Sequence, residues 1–240
     1  MKSQTKQTPL MAQYYKVKQA NPDTILLFRV GDFFETFEDD AKLASKVLGI
    51  TLTKRSNGAA GDTPLAGFPH HAIDNYLPKL VRAGYRVAIC EQMENPKFAK
   101  GIVKREVIEV VTPGVTLSDK LLDHKKNNYL LAISILDQIC GLSFCDISTG
   151  EFYVFEIPIT QLGEQIESIN PSEFLIPKRD KEFLGKLIER INPSLLITKL
   201  EDWIFNFDFA NELIKNHFKT VTLKGFGVEK LTAGIIAAGA

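Results

Sequence analysis

Apolar and polar positions along the chain fall into two regimes. Between Thr8 and Gly114, helix-like and strand-like stretches interleave. Leu10, Tyr14 and Val17 recur at helical intervals, with Thr8 placed as an N-cap, Pro9 in the first turn and Asn21-Pro22 as the stop. Ile25-Leu26-Leu27-Phe28 is a short apolar run of strand type, and Phe33 to Phe37 is a second. Glu38-Asp39-Asp40 then places negative charge at the start of a helix, where it complements the helix dipole. Ala41, Leu43, Ala44, Val47 and Leu48 give that helix its apolar face, and Gly49 closes it. Ile50 to Thr53 alternates as a strand, Ser56 to Asp62 reads as a surface loop, and a third helix is predicted from Pro69 to Arg82. Tyr85 to Ile89 and Val107 to Val111 read as further strands, the last one stopped by Pro113-Gly114.

After Tyr129 the pattern changes. Three strand-like runs, Tyr129 to Leu136, Gly141 to Asp146 and Glu151 to Glu156, are separated only by short turns, which predicts an antiparallel meander. A helix (Gln161 to Ser168), a strand (Glu173 to Ile176), a helix (Lys181 to Ile191), a strand (Leu195 to Thr198) and a helix near Phe209 to Phe218 follow. Thr116 to Asn128 is polar and charge-rich, the composition of a linker. The predicted fold class is α/β in two domains: a small mixed α/β domain over 1–114, a linker over 115–128, and a second α/β domain over 129–240. Three antiparallel strands followed by alternating helix and strand resemble a ribonuclease-H-like fold. Leu231 to Ala240 opens a helix without a stop signal, as expected of a piece cut from a longer chain.

Composition narrows the picture modestly. With 45% hydrophobic and 24% charged residues, the chain has enough apolar material for a core in each half. No apolar run approaches the ~20 residues that cross a bilayer as a helix, and the polar start, Met1 to Gln7, has no signal-peptide core. Cys90, Cys140 and Cys145 fit neither a paired framework nor CxxC spacing, which points to free thiols in a reducing cytosol, so a cytoplasmic location is expected. The net charge of zero is unevenly divided: residues 1–114 hold 16 Lys+Arg against 12 Asp+Glu, and the remainder 13 against 17. This permits a phosphate-facing surface on the first half without requiring one.

The stretch with the most chemical content is Phe28 to Phe37. Gly31-Asp32 favours a turn, and an extended Phe33 to Phe37 would put Phe33, Glu35 and Phe37 on one face. Two readings stand side by side. Phenylalanines on a short strand usually belong to a core, with Glu35 then at its rim. Alternatively, an aromatic wedge next to a carboxylate can stack on a nucleobase and hydrogen-bond to it. The residues alone leave both open.

Gly31-Asp32-Phe33-Phe34-Glu35 resembles the Phe-X-Glu signature of the mismatch-recognition domain of the MutS family of DNA mismatch-repair proteins. Similar blocks follow in order at Leu52-Thr53-Lys54-Arg55, Ala66-Gly67-Phe68-Pro69-His70-His71-Ala72, Ala88-Ile89-Cys90-Glu91-Gln92, Val111-Thr112-Pro113-Gly114 and Gly225-Phe226-Gly227-Val228, so the resemblance spans nearly the whole chain. It implies that Phe33 enters the minor groove and stacks on a mispaired or unpaired base while Glu35 hydrogen-bonds the displaced base. A carboxylate in a phosphate-lined groove is repelled by sound duplex, and the same negative potential raises its pKa toward a form that can donate. Lys54, Arg55, Lys104 and Arg105 are then expected at the DNA backbone, with Val30 near the wedge.

The second domain is expected to be the family's connector, relaying nucleotide state to an ATPase domain and contacting MutL. The resemblance further implies a homodimer, with ATP and magnesium, at full length. No Gly-x-x-x-x-Gly-Lys-Ser/Thr occurs here, so no catalytic residue, metal or cofactor is expected in these residues. Two rival readings are a protein-interaction module with Phe33 buried and a ribonuclease-H-like metal nuclease using Asp137, Asp146 and Glu151. His70 and His71 lack partners spaced for a metal, so capping and packing are expected of them.

Overall fold

The computed structural model describes residues 7–96, 98–99, 101–115, 127–193 and 195–240. Two compact units meet in sequence between Thr112 and Pro113. Most of the expected linker, residues 116–126, lies outside the described residues, as do Lys97 and Lys100 in the basic segment before Arg105.

The first unit is built on a six-stranded sheet. Its elements are α1 (Pro9–Ala20), β1 (Ile25–Val30), β2 (Phe33–Phe37), α2 (Glu38–Leu48), β3 (Thr53–Ser56), β4 (Asp62–Pro69), α3 (Ile73–Arg82), β5 (Val87–Gln92) and β6 (Arg105–Val111). The strand order is β3-β4-β2-β1-β5-β6, antiparallel throughout except where β5 returns parallel to β1 after the α3 crossover. Alternation along β1 and β2 divides the aromatic rings between the faces. On one face Tyr14 of α1 stands edge-on to Phe28 (5.5 Å between ring centroids) and to Phe37 (4.8 Å), within a core that includes Met11, Leu26, Ala88 and Cys90. On the other, Phe34 meets Phe68, which stacks on Tyr76 of α3 at 4.6 Å. Each fully buried ring contributes on the order of 1.5–3 kcal/mol by leaving water. The start of α2 is anchored by Asp40, which accepts from Leu26 N at 3.0 Å and from Lys18 Nζ at 2.8 Å.

Three local expectations are corrected. The strand after α2 is Thr53–Ser56, not Ile50 to Thr53: Ser45 Oγ donates to Ile50 O at 2.6 Å, and pairing with β4 begins only at Thr53↔Leu65. The surface loop is shorter than 56–62, because β4 starts at Asp62. Pro64, Gly67 and Pro69 disguise β4, yet Pro64 lies beyond the pairing with β2, being opposite Lys54 of β3, and Pro69 ends the β2 pairing, so neither proline interrupts the β2 ladder from within. The third helix consequently starts at Ile73, with His70–Ala72 a single 3₁₀ turn before it.

The second unit carries β7 (Leu130–Leu136), β8 (Ile139–Asp146), β9 (Glu151–Pro158), α4 (Leu162–Ile169), β10 (Glu173–Pro177), α5 (Lys181–Ile191), β11 (Leu196–Leu200), α6 (Phe207–His217) and α7 (Thr232–Ala238). Its sheet order is β11-β10-β7-β8-β9, with β7, β8 and β9 antiparallel and β10 and β11 parallel to β7, as expected of the ribonuclease-H-like arrangement. Leu131 and Ile133 join Leu162 and Ile166 of α4 and Leu184 and Ile188 of α5 in one core. The opposite face of β7 holds α7, where Ser134 Oγ donates to Ala233 O at 2.6 Å. All three cysteines are free thiols, and among the described residues no helix is long and apolar enough to cross a membrane.

Candidate nucleic-acid interface

A two-residue connection joins β1 to β2, with Val30 paired to Phe33 across it. Gly31 sits at φ 59°, the left-handed value that a II′-type hairpin turn requires at its first central position and that only glycine accepts freely. The turn is tied down from three sides. Gly31 N donates to Gln92 Oε1 at 3.2 Å, Arg29 Nε donates to Gly31 O at 2.6 Å, and His70 N donates to Asp32 O at 2.8 Å. Phe33 leaves this braced turn with 46% of its surface exposed, whereas Phe34, one residue on, is 2% exposed. The ring is therefore held at the surface by its position on the strand.

Glu35 shares the Phe33 face, flanked by Phe28 on β1 and Gly67 on β4. A side chain at 67 would come within 2.9 Å of Phe34 O and 3.4 Å of Glu35 Cγ, so glycine is what lets β4 pass close to the β2 backbone beside Glu35. In front lies an open hollow of about 500 Å³ lined by Phe33, Glu35, Gly49, Ile50, Thr51 and Thr53, among others. The Glu35 side chain is only 15% exposed and is paired with Arg55 Nη1 of β3. Burial pushes the Glu35 carboxyl up from the ordinary range; the Arg55 guanidinium and, at longer range, that of Arg105 pull it back without cancelling the rise.

The expected site residues occupy different settings. Val30 is half-buried beside the turn, and Lys54 is exposed on β3. Lys104 is exposed and paired with Glu106 at 2.6 Å. Arg105 lies inside, 7% exposed. Its guanidinium donates to Arg29 O at 2.5 Å, Val103 O at 2.9 Å, Gln13 Oε1 at 3.0 Å and Gln92 Oε1 at 3.2 Å, and it lies 5.1 Å from the centre of the Phe28 ring. Gln92 thus joins the buried arginine to the Gly31 turn. Sequence reasoning missed Gln92 and Arg29 in this bracing role; only the placement of Gln92 in the Ala88–Gln92 block pointed to it.

The three carboxylates weighed for metal chemistry do not converge as a set, although Asp146 and Glu151 are opposite each other across the β8–β9 ladder. Asp137 stands in the turn before β8 and Asp146 ends that eight-residue strand, so they are separated by most of its length. Asp146 already accepts from Asn128 N (2.8 Å), Ser148 N (2.9 Å) and Ser148 Oγ (2.6 Å), and Glu151 from Tyr129 Oη (2.9 Å). Among the described residues no three His, Cys, Asp or Glu side chains are grouped to hold a metal ion. His70 serves the hairpin through its backbone and through Nδ1, 3.1 Å from Asp32 O.

A mixed α/β domain with one exposed aromatic ring and one carboxylate on a braced hairpin, followed by a ribonuclease-H-like domain, defines a two-domain α/β protein. Residues 8–120 match the family model for MutS domain I, and residues 128–240 match that for MutS domain II. The chain belongs to the MutS family. It is 53% identical over 236 residues to the DNA mismatch repair protein MutS of Flavobacterium psychrophilum, 51% over 237 residues to that of Chlorobaculum parvum, and 54% over 230 residues to that of Cytophaga hutchinsonii. These alignments take in 96–98% of the chain but only 26–27% of each relative, so the chain spans about a quarter of their length.

Proposed function

We propose that the first domain recognises mismatched or unpaired bases in duplex DNA, by insertion of Phe33 from the minor groove with Glu35 hydrogen-bonding the displaced base. The exposure of Phe33 on a braced turn beside a desolvated carboxylate carries this reading. A wedge must unstack a base step, which costs less at a faulty pair, and the aromatic ring returns stacking energy whatever the base. Recognition then reads how readily the duplex deforms. Lys54, Lys104 and Arg55 meet phosphates in this reading, whereas Arg105, committed to four internal acceptors, supports the hairpin from beneath.

The second domain acts as a connector that relays nucleotide state and contacts MutL. ATP, magnesium and the homodimer belong to chain beyond these residues, and the protein works in the cytosol. The burial of Phe33 that a pure protein-interaction module calls for is not where the ring lies.

The test is competitive binding of a matched duplex and one carrying a single unpaired base, with the chain extended to its relatives' length. Phe33→Ala is expected to lower the preference by about 5- to 150-fold, the equivalent of one base–aromatic stack of ~1–3 kcal/mol. Glu35→Ala is expected to bind matched duplex more tightly and discriminate less. A Phe33→Ala variant that keeps the parent's preference overturns the reading.

A further inference from the structure

Two guanidinium groups face Glu35, and they differ in how firmly they are held. Arg105 of β6 makes four hydrogen bonds to other acceptors and covers the Phe28 ring. Arg55 of β3 has a side chain 35% exposed, against 15% for Glu35, and its hydrogen bonding among the described residues goes to Glu35. Among the described residues, Arg55 and Arg105 are the charged groups that act on the carboxylate. β1 and β4 present Phe28 and Gly67, and the segment after α2 presents Gly49, Ile50 and Thr51. One cation is therefore fixed, and the other is partly exposed and held through the carboxylate of Glu35.

We propose that Arg55 is a specificity-determining latch: it holds the Glu35 carboxylate in the free protein and exchanges it for a DNA phosphate on binding, releasing Glu35 to take a proton from solvent and donate to the displaced base. This rests on the reading of Phe33 and Glu35 given above. Arg55 makes one hydrogen bond to Glu35, whereas a phosphate in a more open position can accept two parallel bonds from the same guanidinium. Its departure removes the larger of the two charges that hold Glu35 ionised, so that burial, which favours the neutral acid, is opposed by Arg105 alone. Proton balance is simple: one carboxylate plus one solvent proton gives one carboxylic acid, and the proton leaves again when the complex dissociates. On matched duplex no displaced base accepts from the acid, so the exchange goes unrewarded and Arg55 returns to Glu35. Discrimination is then partly the difference between an ion pair kept and an ion pair given up for two better bonds.

The measurement is isothermal titration of duplex into the chain at its relatives' full length, at one pH near neutrality, in phosphate and in imidazole buffer. The buffer dependence of the heat gives the protons taken up. The parent protein is expected to take up a fraction of one proton with the unpaired-base duplex and close to none with matched duplex. Arg55→Gln removes the pairing that holds Glu35 ionised in the free protein, so the proton uptake on binding should fall by about half or more. Its binding should also lose roughly one unit of salt slope, as one phosphate contact disappears. Arg55→Lys, which keeps the charge and guards against a folding defect, should keep most of the salt slope. Parent-like uptake in Arg55→Gln overturns the latch while leaving the wedge intact. If Glu35→Gln changes neither proton uptake nor discrimination, the reading of Glu35 fails with it.

Discussion

Removing Arg105 tests whether the hairpin is braced from inside the domain. In Arg105→Ala, Arg29 O, Val103 O, Gln13 Oε1 and Gln92 Oε1 each lose a charged donor, and Phe28 loses the cation over its ring. A hydrogen bond from a charged group contributes about 1.5–3 kcal/mol, but some freed acceptors recover water at the partly open edge of the site. The expected net loss is about 3–5 kcal/mol, comparable with other buried charged groups removed from their partners. For a unit of this size that lowers the thermal midpoint by roughly 12–20 °C. Urea unfolding followed by hydrogen exchange of β1, β2 and β5 amides measures it, with the exposed Lys54→Ala as a control expected to stay within about 0.5 kcal/mol. Because Gln92 also loses a donor, exchange at Gly31 should rise well before the strands open. A loss below about 1 kcal/mol, with protection at Gly31 unchanged, would refute the bracing argument.

Adjacent phenylalanines should separate stability from recognition. Phe34→Ala, at a position 2% exposed, is expected to cost about 3–5 kcal/mol in chemical denaturation, whereas Phe33→Ala should leave the unfolding midpoint nearly unchanged and weaken only DNA discrimination. In the second unit, burial pushes the Asp146 carboxyl up, but hydrogen bonds from Ser148, Asn128 and Thr149 prevail and hold it below the ordinary carboxylate range. A carboxyl lowered in the folded state stabilises above its unfolded pKa, and that contribution disappears as pH falls through the folded value. Asp146→Asn should therefore lose stability near pH 7 and show a shallower fall between about pH 5 and pH 2 than the parent, measured by thermal melts across that range.

Hydrophobic spacing was a good guide wherever an element buries one clear face. α5 runs from Lys181 to Ile191 as predicted, and β7 to β9 form the predicted meander, because uninterrupted periodicity and short turns leave few alternatives. β4 was illegible since Pro64, Gly67 and Pro69 are individually strand breakers; only the register shows Pro69 at the end of the β2 pairing, Pro64 beyond it opposite Lys54, and Gly67 where β2 passes closely. Alternation correctly put Phe33, Glu35 and Phe37 on one face but could not say that α1 covers Phe37 and stops short of Phe33. The two arginines drawn from matching blocks proved unlike in setting. Arg55 is partly exposed and paired with Glu35, and Arg105 is buried against backbone carbonyls contributed by residues 76 positions away and closer. Such differences come from long-range contacts, which spacing along a chain does not encode.

The central claim is that the Phe33 ring enters the duplex at a weak step, and a fluorescent base reports it directly. A duplex with 2-aminopurine at an unpaired position, bound by the chain at its relatives' full length, should change its emission on binding as the ring stacks on the probe. Phe33→Ala should abolish that change at saturating protein, and Phe33→Trp should restore it. Equal emission changes for the parent and Phe33→Ala, with both fully bound, would contradict the account.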